Sequence, residues 1–234
     1  MRLISYNIQS LRGSRAGVID ALRAAEPDVV CVQEVPRFLL PALRARRLAG
    51  ACGLVAVGGG RVAAGTAIWV RQEVVVRRAT LVLLSRTPRR RGLPATRTSR
   101  LHRRGMAWAE LVVDGCELTV ASVHLGLDAT ERARHAGEVR AALASIGGPY
   151  VLAGDLNEGP GGAAWRIFGA DARPANSEQP TFPAGHPAHV IDTAFVSPGL
   201  SAVDVQVLTS TASRTASDHR PVQVTVTGSH ACRP

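Results

Sequence analysis

The chain has 234 residues, 46% of them apolar and 20% charged, which is enough for one full hydrophobic core and short for two domains. Its formal charge is +10 and its 28 basic residues are all arginine, a surplus that draws it towards polyanions such as nucleic acid or acidic membrane surfaces. No apolar run approaches the roughly 18 residues of a membrane span, and MRLISYNIQS enters a strand pattern at once instead of an apolar leader, so the expectation is a soluble cytoplasmic protein.

In chain order, Arg2 to Ile8 alternates as a strand, and Ala16, Ile19, Leu22 and Arg23 mark an amphipathic helix that ends near Glu26-Pro27. Asp28 to Gln33 is a continuous apolar run of strand length, the pattern of a sheet buried on both faces. A second helix is expected over Arg37 to Leu48, and strands over Thr66 to Arg71 and Val74 to Leu84, which are rich in β-branched residues. Residues 85 to 104 break the pattern with two prolines, one glycine and eight arginines, and read as a loop, either solvated or contacting phosphates. Met106 to Val113 and Glu117 to His124 form a hairpin across Asp114-Gly115. Thr130 to Ile146 is the longest helix, followed by a strand over Tyr150 to Ala153 and a Pro/Gly-rich segment over 159 to 189. Strands over Val190 to Ser197, Ala202 to Thr209 and Pro221 to Thr227 close the chain, with Gly228 to Pro234 as a frayed tail. Strands that come partly in adjacent runs and partly alternate with helices suit two packed sheets flanked by helices. Cys31, Cys52, Cys116 and Cys232 form neither a C-x-x-C pair nor zinc-ligand spacing with a histidine, so no disulfide framework is expected.

Acids, amides and histidines stand where apolar strands stop. Asn7 ends the first strand, Glu34 follows the second, His124 ends ASVHL, and Asp155 and Asn157 end VLAGDLNE. Asp192 lies in VIDTAFVS, and Asp218-His219 opens the last strand. Strand ends are where a rigid sheet holds polar groups at an open rim. Each residue alone has a bland explanation as a turn former, surface group or structural histidine. Together they form the set that metal-assisted phosphoryl hydrolysis requires: an aligned water, neutralised charge and a stabilised leaving oxygen. No Ser or Cys stands in an activating context, which favours direct attack by water.

The segments SYNIQ, CVQEV, SVHL, GDLNE, VIDTAFVS and SDHRPV, in this order, resemble the motifs of the endonuclease/exonuclease/phosphatase superfamily, which includes deoxyribonuclease I, repair nucleases, sphingomyelinases and inositol polyphosphate 5-phosphatases. The resemblance runs from Asn7 to His219. It implies a single α/β (α+β) domain over residues 1–228 with a tail at 229–234, built as a deoxyribonuclease I-like four-layer sandwich of two packed mixed β-sheets flanked by helices. It implies that Glu34, with Asn7 and Asp218, binds Mg²⁺ (or Mn²⁺ as a substitute), and that Asp155 aligns or deprotonates the attacking water. Asn157 resembles the amide that orients the nucleophile, Asp192 and His219 resemble a carboxylate–histidine pair, and His124 resembles a second phosphate-contacting histidine. The abasic-site repair branch carries a tyrosine near the position of His124, so a dedicated abasic endonuclease is disfavoured. An acidic partner for His124 is sought in 71 to 104, where Glu73 and, beyond it, Glu110 are the candidates, and Arg104 matches a substrate-contacting arginine. The remaining histidines, His135, His186, His189 and His230, read as structural or solvated, whereas His102 belongs to the arginine loop.

The expected activity is Mg²⁺-dependent hydrolysis of phosphodiesters, as an endonuclease or exonuclease on DNA, by a monomer. The alternatives are a lipid or small-molecule phosphodiesterase or phosphatase of the same fold, or a nucleic-acid-binding module on a catalytically dead scaffold. Losses among the site residues would mark the last, and none is missing.

Overall fold

Leu3 and Ile4 point to opposite faces of the first strand, yet neither is exposed to solvent. A strand buried on both faces needs cover on both, and the computed structural model supplies it in four layers. It describes residues 1–36, 40–60, 64–85, 103–176 and 178–228. In chain order the elements are β1 (Arg2–Asn7), α1 (Arg15–Ala25), β2 (Val29–Gln33), α2 (Pro41–Ala51), β3 (Val55–Gly59) and β4 (Ala67–Val70). Next come β5 (Val75–Leu83), β6 (Gly105–Val113), β7 (Cys116–His124), α3 (Ala129–Ile146) and β8 (Tyr150–Asp155). The chain closes with α4 (Ala163–Gly169), β9 (Arg173–Pro174), β10 (Asp192–Val196), β11 (Leu200–Val207), α5 (Thr211–Thr215) and β12 (Val222–Gly228).

Two six-stranded sheets result, ordered β11-β12-β1-β2-β4-β3 and β5-β6-β7-β8-β10-β9. The space between them is filled by Leu3, Val29, Cys31 and Ile68 from one sheet against Ala107, Val120, Val151 and Ala194 from the other. The alternate residues Ile4, Tyr6, Val30 and Trp69 pack outward with Val18, Leu22 and Leu48 of α1 and α2. On the far side Leu152 and Phe195 pack with Val139 and Leu143 of α3 and with Trp165 and Phe168 of α4. The four-layer sandwich of two mixed sheets and flanking helices is therefore as expected.

Topology decides where the polar strand ends meet. β1 runs parallel to β2 and β7 parallel to β8, whereas β10 and β12 run antiparallel to β8 and β1. The C-terminal ends of β1, β2, β7 and β8 thus share one rim with the beginnings of β10 and β12. His124 lies in register with Asp155, and Asp155 with Asp192.

Local chemistry sets the helix ends. Ser14 caps α1 by accepting the Gly17 N–H at 3.0 Å, and Asp128 caps α3 by accepting the Glu131 N–H at 2.9 Å. The second helix begins at Pro41, not Arg37, because proline's fixed φ suits the first helical position; residues 37–39 lie outside the described residues. The Pro/Gly-rich segment over 159–189 holds α4 and β9. Trp165 and Phe168 of α4 each meet Phe195 edge-on at 5.4 Å, contacts worth about 0.5–1.5 kcal/mol apiece beyond burial. Strand β3 and the single-turn α5 are further additions. The last strand extends through Gly228, and the rest of the tail, with His230 and Cys232, lies outside the described residues.

Cys31 and Cys52 carry free thiols, and burial pushes the Cys52 thiol up to about 11. His135 is buried with Nε2 2.8 Å from the Ser85 carbonyl oxygen, a structural role. Among the described residues no helix is long and apolar enough to cross a membrane.

Candidate active site

Asp155 is the centre of the rim. It closes β8 with 1% of its surface exposed, and its Oδ2 accepts the Asn7 amide N–H at 3.0 Å. The same oxygen lies 3.3 Å from His124 Nε2 and 3.7 Å from His219 Nε2. Its other oxygen accepts the backbone N–H of Asn157 at 2.9 Å. Asn157 holds a left-handed backbone, φ 52°, and its side-chain amide donates to the Leu125 carbonyl at 2.9 Å. His124 therefore has a carboxylate partner in Asp155. Neither Glu73 nor Glu110 takes that place: Glu73 pairs with Arg71 at 3.1 Å, and Glu110 is registered with Thr119, well back along the hairpin from His124.

His219 lies between two acids. Its Nδ1 is 2.8 Å from Asp192 Oδ2, which also accepts the Thr181 hydroxyl at 2.5 Å. The Phe182 ring sits 4.9 Å from the imidazole. Burial opposes a charged imidazole, but Asp192, through charge and hydrogen bond, together with Asp155 and Asp218 outweighs it and raises the His219 pKa to about 10. For Asp155, burial and then the neighbouring Asp192 raise the pKa to about 6, against the opposing pull of His219, Asn157 and Asn7. At neutral pH this is an imidazolium beside a carboxylate that titrates nearby. His219 Nε2 and Asn7 Nδ2 are 3.5 Å apart; with the imidazole charged both are donors, so they offer N–H groups to a third atom, not to each other.

Asn7 and Asp218 are joined through Gln9 one step along the rim, and Glu34 stands at the neighbouring strand end. Asn7 Oδ1 accepts the Gln9 backbone N–H at 3.0 Å, and Asp218 Oδ2 accepts the Gln9 side-chain amide at 2.9 Å. Glu34 directly follows Gln33, the register partner of Asn7, and is half-buried with φ 56°. Five of the nine non-glycine residues with positive φ among the described residues (Gln9, Ser10, Leu11, Glu34 and Asn157) belong to this rim. Such strain of ordinary residues gathers at functional sites.

Which atoms could hold a metal follows from donor chemistry. Ligand atoms of Asp155, Asp192 and His219 lie within 4.8 Å of one another. A charged His219 bonded to Asp192 has no lone pair to give, so this trio is first a hydrogen-bonded acid–base set. The carboxylates of Glu34 and Asp218 with the Asn7 amide oxygen are hard oxygen donors of the kind Mg²⁺ accepts. Asp192 Oδ1, buried and without a hydrogen-bond partner among the described residues, adds coordinating capacity nearby. The residues fit a hard divalent cation.

Arg104 lies just before β6, and its carbonyl accepts the Leu84 N–H at 3.1 Å. Met106 is registered with Val123, so Arg104, one residue before β6, lies at the rim beside His124. Residues 86–102, including His102, lie outside the described residues, but the strands that bracket them end and begin at this rim. Gln9, Thr181, Phe182 and Ser217 support the site without standing out in the sequence as candidates. Ser217 donates to the Asn7 carbonyl at 2.7 Å. Gln9 stands inside the SYNIQ segment and Ser217 opens SDHRPV; Thr181 and Phe182 occupy a turn-rich stretch with no periodic signal. A cavity of about 560 Å³ between α3 and α4 is separate, with Tyr150 on its wall at the opposite end of β8 from Asp155.

The family model of the endonuclease/exonuclease/phosphatase family matches residues 4–219. No curated protein matches the chain. Among solved structures, an endonuclease/exonuclease/phosphatase from Bacteroides vulgatus is 19% identical with a TM-score of 0.77, the match covering 97% of this chain and 98% of that one. A mannosyl-6-phosphatase of Bacteroides thetaiotaomicron is 20% identical with a TM-score of 0.75, over 97% and 99% of the two chains. The human Nocturnin catalytic domain with bound sulfate anion is 16% identical with a TM-score of 0.76, over 98% and 94%. At these identities the structures establish the shared fold.

Proposed function

The chain belongs to the endonuclease/exonuclease/phosphatase family and is a hydrolase of phosphate esters; from that premise we propose that it is a Mg²⁺-dependent phosphodiesterase acting on nucleic acid, DNA before RNA. The observation that carries the chemistry is the chain of contacts from Asp192 through His219 to Asp155. Asp155, with its pKa brought to about 6, takes the proton of an attacking water aligned with the help of Asn157. His219, kept charged by Asp192, donates from Nε2 to the phosphoryl oxygen on which charge develops or to the leaving oxygen. His124, against the same Asp155 oxygen, supplies a second imidazole to the phosphate. Bound by Glu34, Asn7 and Asp218, Mg²⁺ or Mn²⁺ would neutralise phosphate charge and polarise the phosphoryl group.

For the substrate, the support is electrostatic. The chain carries +10, and the arginine-rich stretch is bracketed by strands that open onto the rim, with Arg104 at its end. We place the enzyme in the cytoplasm as a monomer of one domain over residues 1–228. A phosphatase of small phosphoesters is the second reading, favoured by the likeness to a mannosyl-6-phosphatase.

The test compares supercoiled DNA, bis(p-nitrophenyl) phosphate and p-nitrophenyl phosphate, each with Mg²⁺ or EDTA. Mg²⁺-dependent nicking is expected. The Arg89→Ser/Arg90→Ser/Arg91→Ser variant should nick less and show a shallower salt dependence, the slope falling by about 0.9 for each phosphate that is no longer neutralised, with the small diester cut as before. Cleavage of the monoester alone would replace the nuclease reading with the phosphatase one.

A further inference from the structure

Gln9 stands at the junction of all three residues assigned to the cation, although it carries none of the chemistry. Its backbone N–H donates to Asn7 Oδ1 at 3.0 Å, and its side-chain amide donates to Asp218 Oδ2 at 2.9 Å across most of the length of the chain. It begins a left-handed run, Gln9, Ser10 and Leu11, with φ of 47°, 52° and 61°. L-residues avoid three such conformations in succession, so something must hold the run in place. The holding bonds come from the same rim. Ile8 N–H donates to the Gln33 carbonyl at 3.1 Å, and Ser10 N–H to the Glu34 carbonyl at 3.0 Å. The turn is therefore seated on the strand end that presents Glu34, and Glu34 is itself left-handed, φ 56°. One side chain and one backbone turn register Asn7, Glu34 and Asp218 against each other.

The geometry points to Gln9 as a positioning residue that sets divalent-cation affinity by fixing the Asn7 amide and the Asp218 carboxylate in place, an inference that rests on the proposed cation site. Two features make glutamine specific here. Its amide N–H occupies one lone pair of Asp218 Oδ2, and the Ser217 hydroxyl lies 3.3 Å from Oδ1, so each carboxylate oxygen keeps a lone pair for a cation. Its backbone N–H orients the Asn7 amide with the oxygen towards Gln9 and the nitrogen towards Asp155, so that the cation ligand and the Asp155 contact come from one locked rotamer. Loss of a residue that holds a ligand in this way typically weakens metal binding about 10- to 100-fold.

The test is calorimetric titration of the metal-free protein with Mg²⁺ alone and with Mn²⁺ alone. The variants are Gln9→Met, which keeps length and removes the donor, and Gln9→Asn, which keeps the amide and accepts the left-handed backbone but is one methylene short of Asp218. Both are expected to weaken cation binding about tenfold or more, with the melting temperature of the metal-free protein unchanged. In a double-mutant cycle Gln9→Met/Asp218→Asn should bind no more weakly than Asp218→Asn, because the two act through one contact. Unchanged affinity in both Gln9 variants, or multiplied losses in the double variant, would overturn the assignment while leaving the cation site standing. A wild-type protein that binds neither cation would overturn the cation site and this inference together.

Discussion

Asp155 and Asp192 face one another in register across β8 and β10, both with 1% of their surface exposed, and their surroundings give them different work. Asp192 is bonded to the His219 ring and the Thr181 hydroxyl; Asp155 takes its bonds from neutral amides, and its pKa rises to about 6. In the proposed mechanism Asp192 holds the charge on His219 and Asp155 moves the proton. Replacing Asp192 with Asn removes the charge that keeps His219 protonated and leaves the shape intact. The expectation is a kcat about 10²-fold lower or more with KM nearly unchanged, read from steady-state kinetics on bis(p-nitrophenyl) phosphate; a kcat within threefold or so of wild type would remove Asp192 from the mechanism. At this scale the charged residues were legible because acids and histidines at strand ends are unusual against apolar runs. Thr181 and Phe182 were not, because a threonine and an aromatic among prolines and glycines carry no such contrast.

The strands show why the motif around Asp155 has its glycine. A Cβ on Gly154 would fall 1.9 Å from the Val123 carbonyl oxygen, so β8 approaches β7 there more closely than any side chain permits. That approach brings His124 and Asp155 to 3.3 Å. Gly154→Ala should destabilise the fold by about 2 kcal/mol or more, a fall of roughly 4–8 °C in Tm for a chain of this size, measured by thermal denaturation; an unchanged Tm would show that the two strands have slack. Elements were legible where their pattern is long. β2 and β8 read as apolar runs and α3 as a long helix, and each lies within a few residues of its expected bounds. α4 and β3 were not legible, for physical reasons. Ala163–Gly169 is too short to express helical periodicity, and Val55–Gly59 ends in glycines that weaken a strand signal. Tertiary packing on Phe195 stabilises α4 where propensity does not.

At the scale of the molecule, the two sheets act as one rigid frame. Parallel pairs at the middle of each sheet turn their C-terminal ends to the same rim, and antiparallel neighbours return Asp192 and His219 to it. The fold therefore explains why residues far apart in sequence converge on one oxygen of Asp155. The most direct test of the central claim is hydrolysis of bis(p-nitrophenyl) phosphate by wild-type, Asp155→Asn and His219→Asn proteins, with Mg²⁺ and with EDTA. The account predicts turnover only with the cation and a loss of about 10²-fold or more in each variant, with wild-type melting behaviour retained. Full activity in EDTA, or an Asp155→Asn protein as fast as wild type, would contradict it.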